Sequence, residues 1–146
     1  MAGFVLLGGP GVESSWPHPI SSLTLAVNDM IELDVGATTW TVGDASTQHW
    51  QKKAVCLEAA TSSDTIVNAI DVLPGQLWLM DVAATAAAAH NGDRMVLTDQ
   101  NTVNNTGTDS TAQTAVVIQR YPETFTDTTS IVGEIVYGNG VDPDAT

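Results

Sequence analysis

The sequence predicts an all-β chain: a single small β-barrel or barrel-like sandwich with an extended N-terminal arm. Three observations carry that expectation. First, 19 Thr, 16 Val and 7 Ile make 42 of 146 residues β-branched, and such side chains are stiff at χ1 and suit a pleated sheet. Second, charged residues are only 14% of the chain, whereas helices at a protein surface carry many charges on their wet face. Third, short apolar or alternating runs recur between Gly, Pro, Asn and Asp turn signals from Val27 onward, the pattern of successive short strands. A chain of 146 residues that is 43% hydrophobic has enough material for one domain with a core of its own.

Residues 1 to 26 stand apart. Gly3, Gly8, Gly9 and Gly11 interleave with Pro10, Pro17 and Pro19, and each proline holds its predecessor in extended backbone. The same segment carries Phe4, Val5, Leu6, Leu7, Trp16 and Ile20, side chains that a solvated tail does not need. It reads as an extended arm that docks on its own barrel or on a neighbour. Trp16 is its expected anchor.

The barrel domain is expected over residues 27 to 137. Ile31, Leu33 and Val35 alternate with Met30, Glu32 and Asp34, which predicts a strand with the first set buried and the second wet. Trp40 and Val42 resume after a turn at Gly36. Lys53 to Ala59 places Val55, Leu57 and Ala59 on one face. Thr65 to Leu73 is a longer strand closed by Pro74-Gly75, a type II turn pair. Trp78, Met80 and Val82 alternate with Leu77, Leu79 and Asp81. The run Ala83 to Ala89 has helical propensity but no charged residue before Asn91-Gly92, so a short helical turn is expected there. Arg94 to Thr98 is a strand, Asp99 to Gln113 a polar loop or ragged hairpin, and Ala115 to Tyr121 and Ile131 to Tyr137 the last strands. Residues 138 to 146 read as a fraying tail. The predicted core is Ile31, Leu33, Val55, Leu57, Ile70, Trp78, Met80, Val82, Leu97, Val117 and Ile135.

The last strands are apolar on both faces. Val116 and Ile118 oppose Val117 and Tyr121, and Val132 and Val136 oppose Ile131, Ile135 and Tyr137. A one-sided sheet would show a polar face, so the second face is expected to be covered by the arm or by another subunit. The candidate interface residues are therefore Phe4, Leu6, Leu7, Trp16, Ile20, Val116, Ile118, Val132 and Val136.

Charge excludes whole classes of function. Four Lys/Arg against 17 Asp/Glu give a net charge of -13. So few cations cannot track a phosphate backbone, and anionic lipid would repel the chain. No nucleic-acid or membrane partner is expected. Cys56 is the only cysteine, which rules out an internal disulfide or a multi-cysteine metal site. Within Ala54-Val55-Cys56-Leu57 it reads as a buried, inert thiol. Phe4 to Leu7 is too short to span a bilayer and lacks the basic start of a signal peptide, so a soluble chain that is not exported by a cleaved signal is expected.

No motif carries chemistry. Val5-Leu6-Leu7-Gly8-Gly9-Pro10-Gly11 resembles a phosphate loop, but Trp16-Pro17-His18-Pro19 follows where a helix is required. His18, His49 and His90 lack metal-ligand spacing and read as partly exposed loop residues. Asp99 to Asn105 has Asn104 and Ser110 where an EF-hand needs Gly and Glu, so Asx-turns are the simpler reading. Pairs such as Glu32 and Asp34 are the chance product of many acids on a wet face. Trp16, Trp40, Trp50 and Trp78 form either a sugar-stacking platform or core and interface anchors. No catalytic residue, metal or cofactor is expected, and the chain is not expected to be an enzyme.

In order along the chain stand Val27-Asn28-Asp29-Met30-Ile31-Glu32-Leu33, Lys53-Ala54-Val55-Cys56-Leu57-Glu58-Ala59-Ala60 and Leu73-Pro74-Gly75-Gln76-Leu77-Trp78. Asp81-Val82-Ala83-Ala84-Thr85, Ala87 to Arg94, Leu97-Thr98-Asp99, Thr102-Val103-Asn104, Val117 to Tyr121 and Val132 to Val136 follow. This succession, over about residues 27 to 137, resembles the head-decoration (cement) proteins of tailed bacteriophages. The weight lies in the order of the segments, and the arm with Trp16-Pro17-His18-Pro19 has no counterpart. The resemblance implies a compact β-barrel, often a homotrimer, that sits on the outer surface of the virion. There it would clamp neighbouring subunits of the major capsid protein after synthesis in the host cytoplasm. The alternative is a glycan- or host-surface-binding β module of a phage appendage, which would line one groove with exposed aromatic residues.

Overall fold

The computed structural model describes residues 3–10, 15–108, 115–123 and 129–143. The fold is all-β, with two antiparallel sheets packed face to face as a sandwich. Its strands in chain order are β1 Phe4–Gly8, β2 Ser15–Pro19, β3 Met30–Leu33, β4 Thr41–Val42, β5 Lys52–Cys56 and β6 Ile66–Asp71. They continue as β7 Leu77–Asp81, β8 Arg94–Asp99, β9 Thr102–Thr108, β10 Val117–Glu123 and β11 Ser130–Ile135. The large sheet has the order β1-β7-β11-β10-β8-β9 and the small sheet β2-β6-β5-β3-β4.

The sheets do not close into a barrel. In each the strand order has two ends, β1 and β9 on the large sheet and β2 and β4 on the small one. Two isolated parallel bridges approach closure without completing it: Val82 with Val103 on the large sheet, and Ile20 with Trp40, just beyond the ends of β2 and β4, on the small one. Pro17 and Pro19 lie in β2, opposite Asn68 and Ile66. Proline is tolerated there because an edge strand leaves alternate N–H positions unpaired.

The main core lies between the sheets. Phe4, Trp78, Met80, Met95, Leu97, Val117, Ile131 and Ile135 of the large sheet meet Met30, Val55, Ile70 and Val72 of the small one. A second core lies on the outer face of the small sheet. There Ile31, Ala54, Cys56, Val67 and Ala69 are covered by Ile20, Leu25 and Trp40. The small sheet is thus buried on both sides, which corrects the expected wet face of β3: Met30 and Glu32 are buried along with Ile31. Leu33 is half-buried, and Val35, beyond the strand, is exposed. Leu57 is also a correction. The chain leaves β5 at Cys56, and Leu57 is 45% exposed.

The N-terminal segment is not a separate arm. β1 pairs with β7 and β2 with β6, and the stretch after β2 supplies the lid of the second core. Its apolar side chains are accounted for largely within the chain. The described C-terminal residues 138–143 are anchored at their start. Gly138 is buried against the backbone of Trp50 and Gln51, where a Cβ would collide with both, and the Gly140 N–H donates to the Trp50 carbonyl (2.8 Å).

The alanine run does not form an α-helix; only Ala88–His90 makes a 3-10 turn. Buried amides hold it open. Asn105 accepts from the Ala84 N–H (2.8 Å) and donates to its carbonyl (2.9 Å), and Gln119 Nε2 donates to the Ala87 carbonyl (2.8 Å). Satisfying those amides outweighs the few tenths of a kcal/mol per residue that helix propensity offers. Gly75 has φ +86° at the Pro74-Gly75 turn, the backbone that a type II turn needs. At the tip between β8 and β9, the Asn101 N–H donates to Asp99 Oδ1 (3.0 Å), an Asx-turn.

Candidate functional site

The large sheet presents an apolar stripe to the outside. Phe4, Met80 and Ile131 are cross-strand partners that face the core. The neighbouring row, Val5, Leu79, Val132 and Tyr121, is in register across β1, β7, β11 and β10. It points the opposite way, because side chains alternate along a strand. Leu7 and Leu77, on the same strands, are exposed and Tyr121 is half exposed, whereas Val5 and Leu79 are half-buried and Val132 is buried. Glu134 and Arg120 border the row as an ion pair of 2.9 Å.

A second feature is an aromatic pocket of about 240 Å³ whose walls include Trp16, Leu33, Trp40, Lys52, Asp71 and Tyr137. Trp16 Nε1 donates to Asp71 Oδ2 (2.7 Å), and its ring stacks on His18 with centroids 3.7 Å apart. The Trp40 ring stands edge-on to His18 at 4.7 Å. His18 is buried, with Nδ1 2.7 Å from the Trp16 carbonyl and Nε2 2.7 Å from Asp71 Oδ1. The Trp16 carbonyl and the Asp71 carboxylate are both acceptors and hold the ring from its two nitrogens. Trp16 is nevertheless 40% exposed and Tyr137 47%.

A third feature is acidic. Glu32, Asp34, Asp44, Gln51 and Trp50 border an open depression of about 830 Å³. Glu32 lies opposite Lys53 across β3 and β5. Burial, then the charge of Asp34, pushes the Glu32 carboxyl up to about 7, against hydrogen bonds from Thr47 and Gln51 that favour the carboxylate. Burial pulls Lys53 down to about 7, opposed by the charge of Glu32. Lys53 Nζ donates to the carbonyls of His49 (2.9 Å), Gln51 (2.9 Å) and Val136 (2.8 Å). An ammonium has three donors. All are taken, so Lys53 ties the loop before β5 to the end of β11.

The candidate interface residues fall into three groups. Phe4, Ile20, Val116 and Val132 are buried within the chain and need no partner to explain them. Leu6, Ile118 and Val136 are half-buried. Leu7 and Trp16 are exposed. The stripe brings Leu7 close to the row containing Val132, while Trp16 lies on the opposite sheet.

The histidines do not converge. His18 is in β2, His49 before β5 and His90 in the 3-10 turn, bonded to Asp93 Oδ2 at 3.0 Å. Among the described residues no group of three or more His, Cys, Asp or Glu is placed to hold a metal ion. The burial of His18 corrects its reading as a loop residue. The Cys56 thiol is buried, and burial, then Asp29 and Glu58, pushes it up to about 12. Sequence reasoning missed Glu32, Lys53 and Tyr137. The available signal was Lys53 itself, a lysine at the head of an apolar strand in a chain with only four cations. Comparison of the chain with protein-family models, characterised proteins and solved structures finds no match.

Proposed function

We propose that the protein is a structural, non-enzymatic capsid-decoration protein. It forms a homotrimer on the outer surface of a phage head and clamps neighbouring subunits of the major capsid protein. The observation that carries this reading is the set of apolar side chains left partly in water on the outer face of the large sheet: Leu7, Leu77 and Tyr121 are exposed, and Val5 and Leu79 between them are half-buried. The order of segments shared with cement proteins points the same way. Each large apolar side chain removed from water at such a joint contributes about 1.5–3 kcal/mol. The stripe is assigned to contacts between copies, and the net charge of -13 favours the outside of the shell, away from packaged DNA. The mechanism is mechanical: a bound cement subunit stabilises the joint it spans by mass action. The test is cryo-electron microscopy of the parent particle together with light scattering of the purified chain. Trimers on the outer shell with the large-sheet face buried between copies are expected. A shell without copies of the chain would overturn the reading.

A further inference from the structure

Trp16 is oriented more firmly than a core-covering side chain requires. Its indole nitrogen is anchored on Asp71, and its face rests on a buried His18 that is itself held at both nitrogens. Pro17 and Pro19 stiffen the strand that carries it. Much of the ring still faces solvent, with Tyr137 as the other exposed aromatic wall of the same pocket. A rigid, exposed aromatic face loses little entropy when a ligand settles on it.

Around that face the pocket offers Asp71 and Lys52 as polar partners and Leu33 and Trp40 as apolar wall. Each Asp71 oxygen is used by Trp16 or His18 but keeps a second lone pair for another donor. A flat apolar wall beside a few hydrogen-bonding groups matches a pyranose ring. Its axial C–H bonds carry slight positive charge and sit well on the negative face of an indole, while its hydroxyls at the rim both donate and accept. The volume, about 240 Å³, has room for one such ring. The carboxylate at the rim and the net charge of -13 disfavour an anionic ligand.

We propose that this pocket is a carbohydrate-binding subsite for one neutral hexopyranose residue. Trp16 is the stacking platform, Tyr137 the facing wall, and Asp71 and Lys52 the hydroxyl partners. The subsite shares no residue with the apolar stripe, so it stands or falls independently of the capsid reading.

The test is saturation-transfer NMR on the full chain with the methyl glycosides of glucose, galactose, mannose and N-acetylglucosamine. Affinity for any ligand that binds is then followed by tryptophan fluorescence. Saturable binding of at least one glycoside is expected. Tyr137→Ala, which leaves the Trp16–His18–Asp71 contacts in place, should weaken it about tenfold or more, a loss of about 1.4 kcal/mol. Trp16→Ala should abolish it, and Trp16→Phe should retain part of it. Circular dichroism of each variant checks the fold, and the tyrosine variant remains informative if the tryptophan variants are unstable. No transfer to any of the four glycosides, or affinity unchanged in Tyr137→Ala, would overturn the proposal.

Discussion

Glu32 and Lys53 face each other where the interior of the sandwich opens toward the acidic depression, and their opposite shifts make stability depend on pH in opposite directions. The folded Glu32 carboxyl, at about 7 against an ordinary 4.5, binds its proton more tightly than in the unfolded chain. Its contribution is therefore complete below about 4.5 and is lost as pH rises to about 7. Lys53, at about 7 against 10.5, binds its proton less tightly when folded. The stability it withholds at neutral pH returns as pH rises from about 7 to about 10.5. The combined contribution of the pair should pass through a minimum near neutrality. Urea midpoints measured across that range should show Glu32→Gln flattening the acidic limb and Lys53→Met the alkaline one. Unchanged slopes in both variants would mean that neither group is shifted. Trp78 belongs to the same scale. It is buried between the sheets, and its indole N–H donates to Gln76 Oε1 (3.2 Å). Trp78→Ala removes the largest fully buried side chain and should cost about 3–5 kcal/mol in denaturant unfolding.

At the level of elements, β1 and β2 decide how the N-terminal segment behaves. An undocked arm could be removed without harm to the domain. Here, deleting residues 1 to 20 takes one edge strand from each sheet, and with them Phe4, His18 and Ile20 from buried positions. Losing a buried Phe alone costs about 3–5 kcal/mol against a typical total of about 5–15 kcal/mol. The truncated chain should lose cooperative thermal unfolding and its near-ultraviolet circular dichroism; a cooperative transition within a few degrees of the full-length chain would mean that both strands are dispensable. Most strands from β3 onward were legible because alternation and turn residues are local signals: Leu77 to Asp81 alternates as read, and Pro74-Gly75 turns as read; β9, Thr102–Thr108, was not, because its Thr and Asn residues carry no apolar alternation and read as a polar loop or ragged hairpin. The wet face of β3 was misread because the cover over Met30 comes from the large sheet, among it Phe4, Met80 and Leu97, while Ile20, Leu25 and Trp40 cover the opposite face at Ile31; none of these is adjacent in sequence. A period of two cannot reveal a lid supplied from elsewhere. β2 was hidden by its prolines, which exclude a central strand and leave an edge strand open. The pocket was half legible. The tryptophans were visible as a set, but Trp16, Asp71 and Tyr137 meet only through pairing of distant strands.

For the molecule as a whole, charge and apolar surface pull assembly in opposite directions, and salt separates them. Each copy carries -13, so bringing copies together costs Coulomb energy over distances comparable with their size. That repulsion is screened as ionic strength rises, with a Debye length of about 10 Å at 0.1 M and about 3 Å at 1 M. Burying Leu7, Leu77 and Tyr121 with the half-buried Val5 and Leu79 removes apolar area from water and is not weakened by screening; salts that strengthen apolar burial favour it further. With four Lys/Arg against 17 Asp/Glu, few attractive charges are present for salt to weaken. A trimer joined through the outer face of the large sheet should therefore strengthen as salt is added. Leu79→Asp, which puts a charge at the middle of the stripe, should leave the monomer folded and dissociate the trimer at every salt concentration. Sedimentation equilibrium from 0.05 to 1 M sodium chloride decides the matter, a range of roughly threefold or more in screening length. An assembly that falls apart on adding salt is held by charge and not by the stripe. One that is indifferent to Leu79→Asp is joined through another surface.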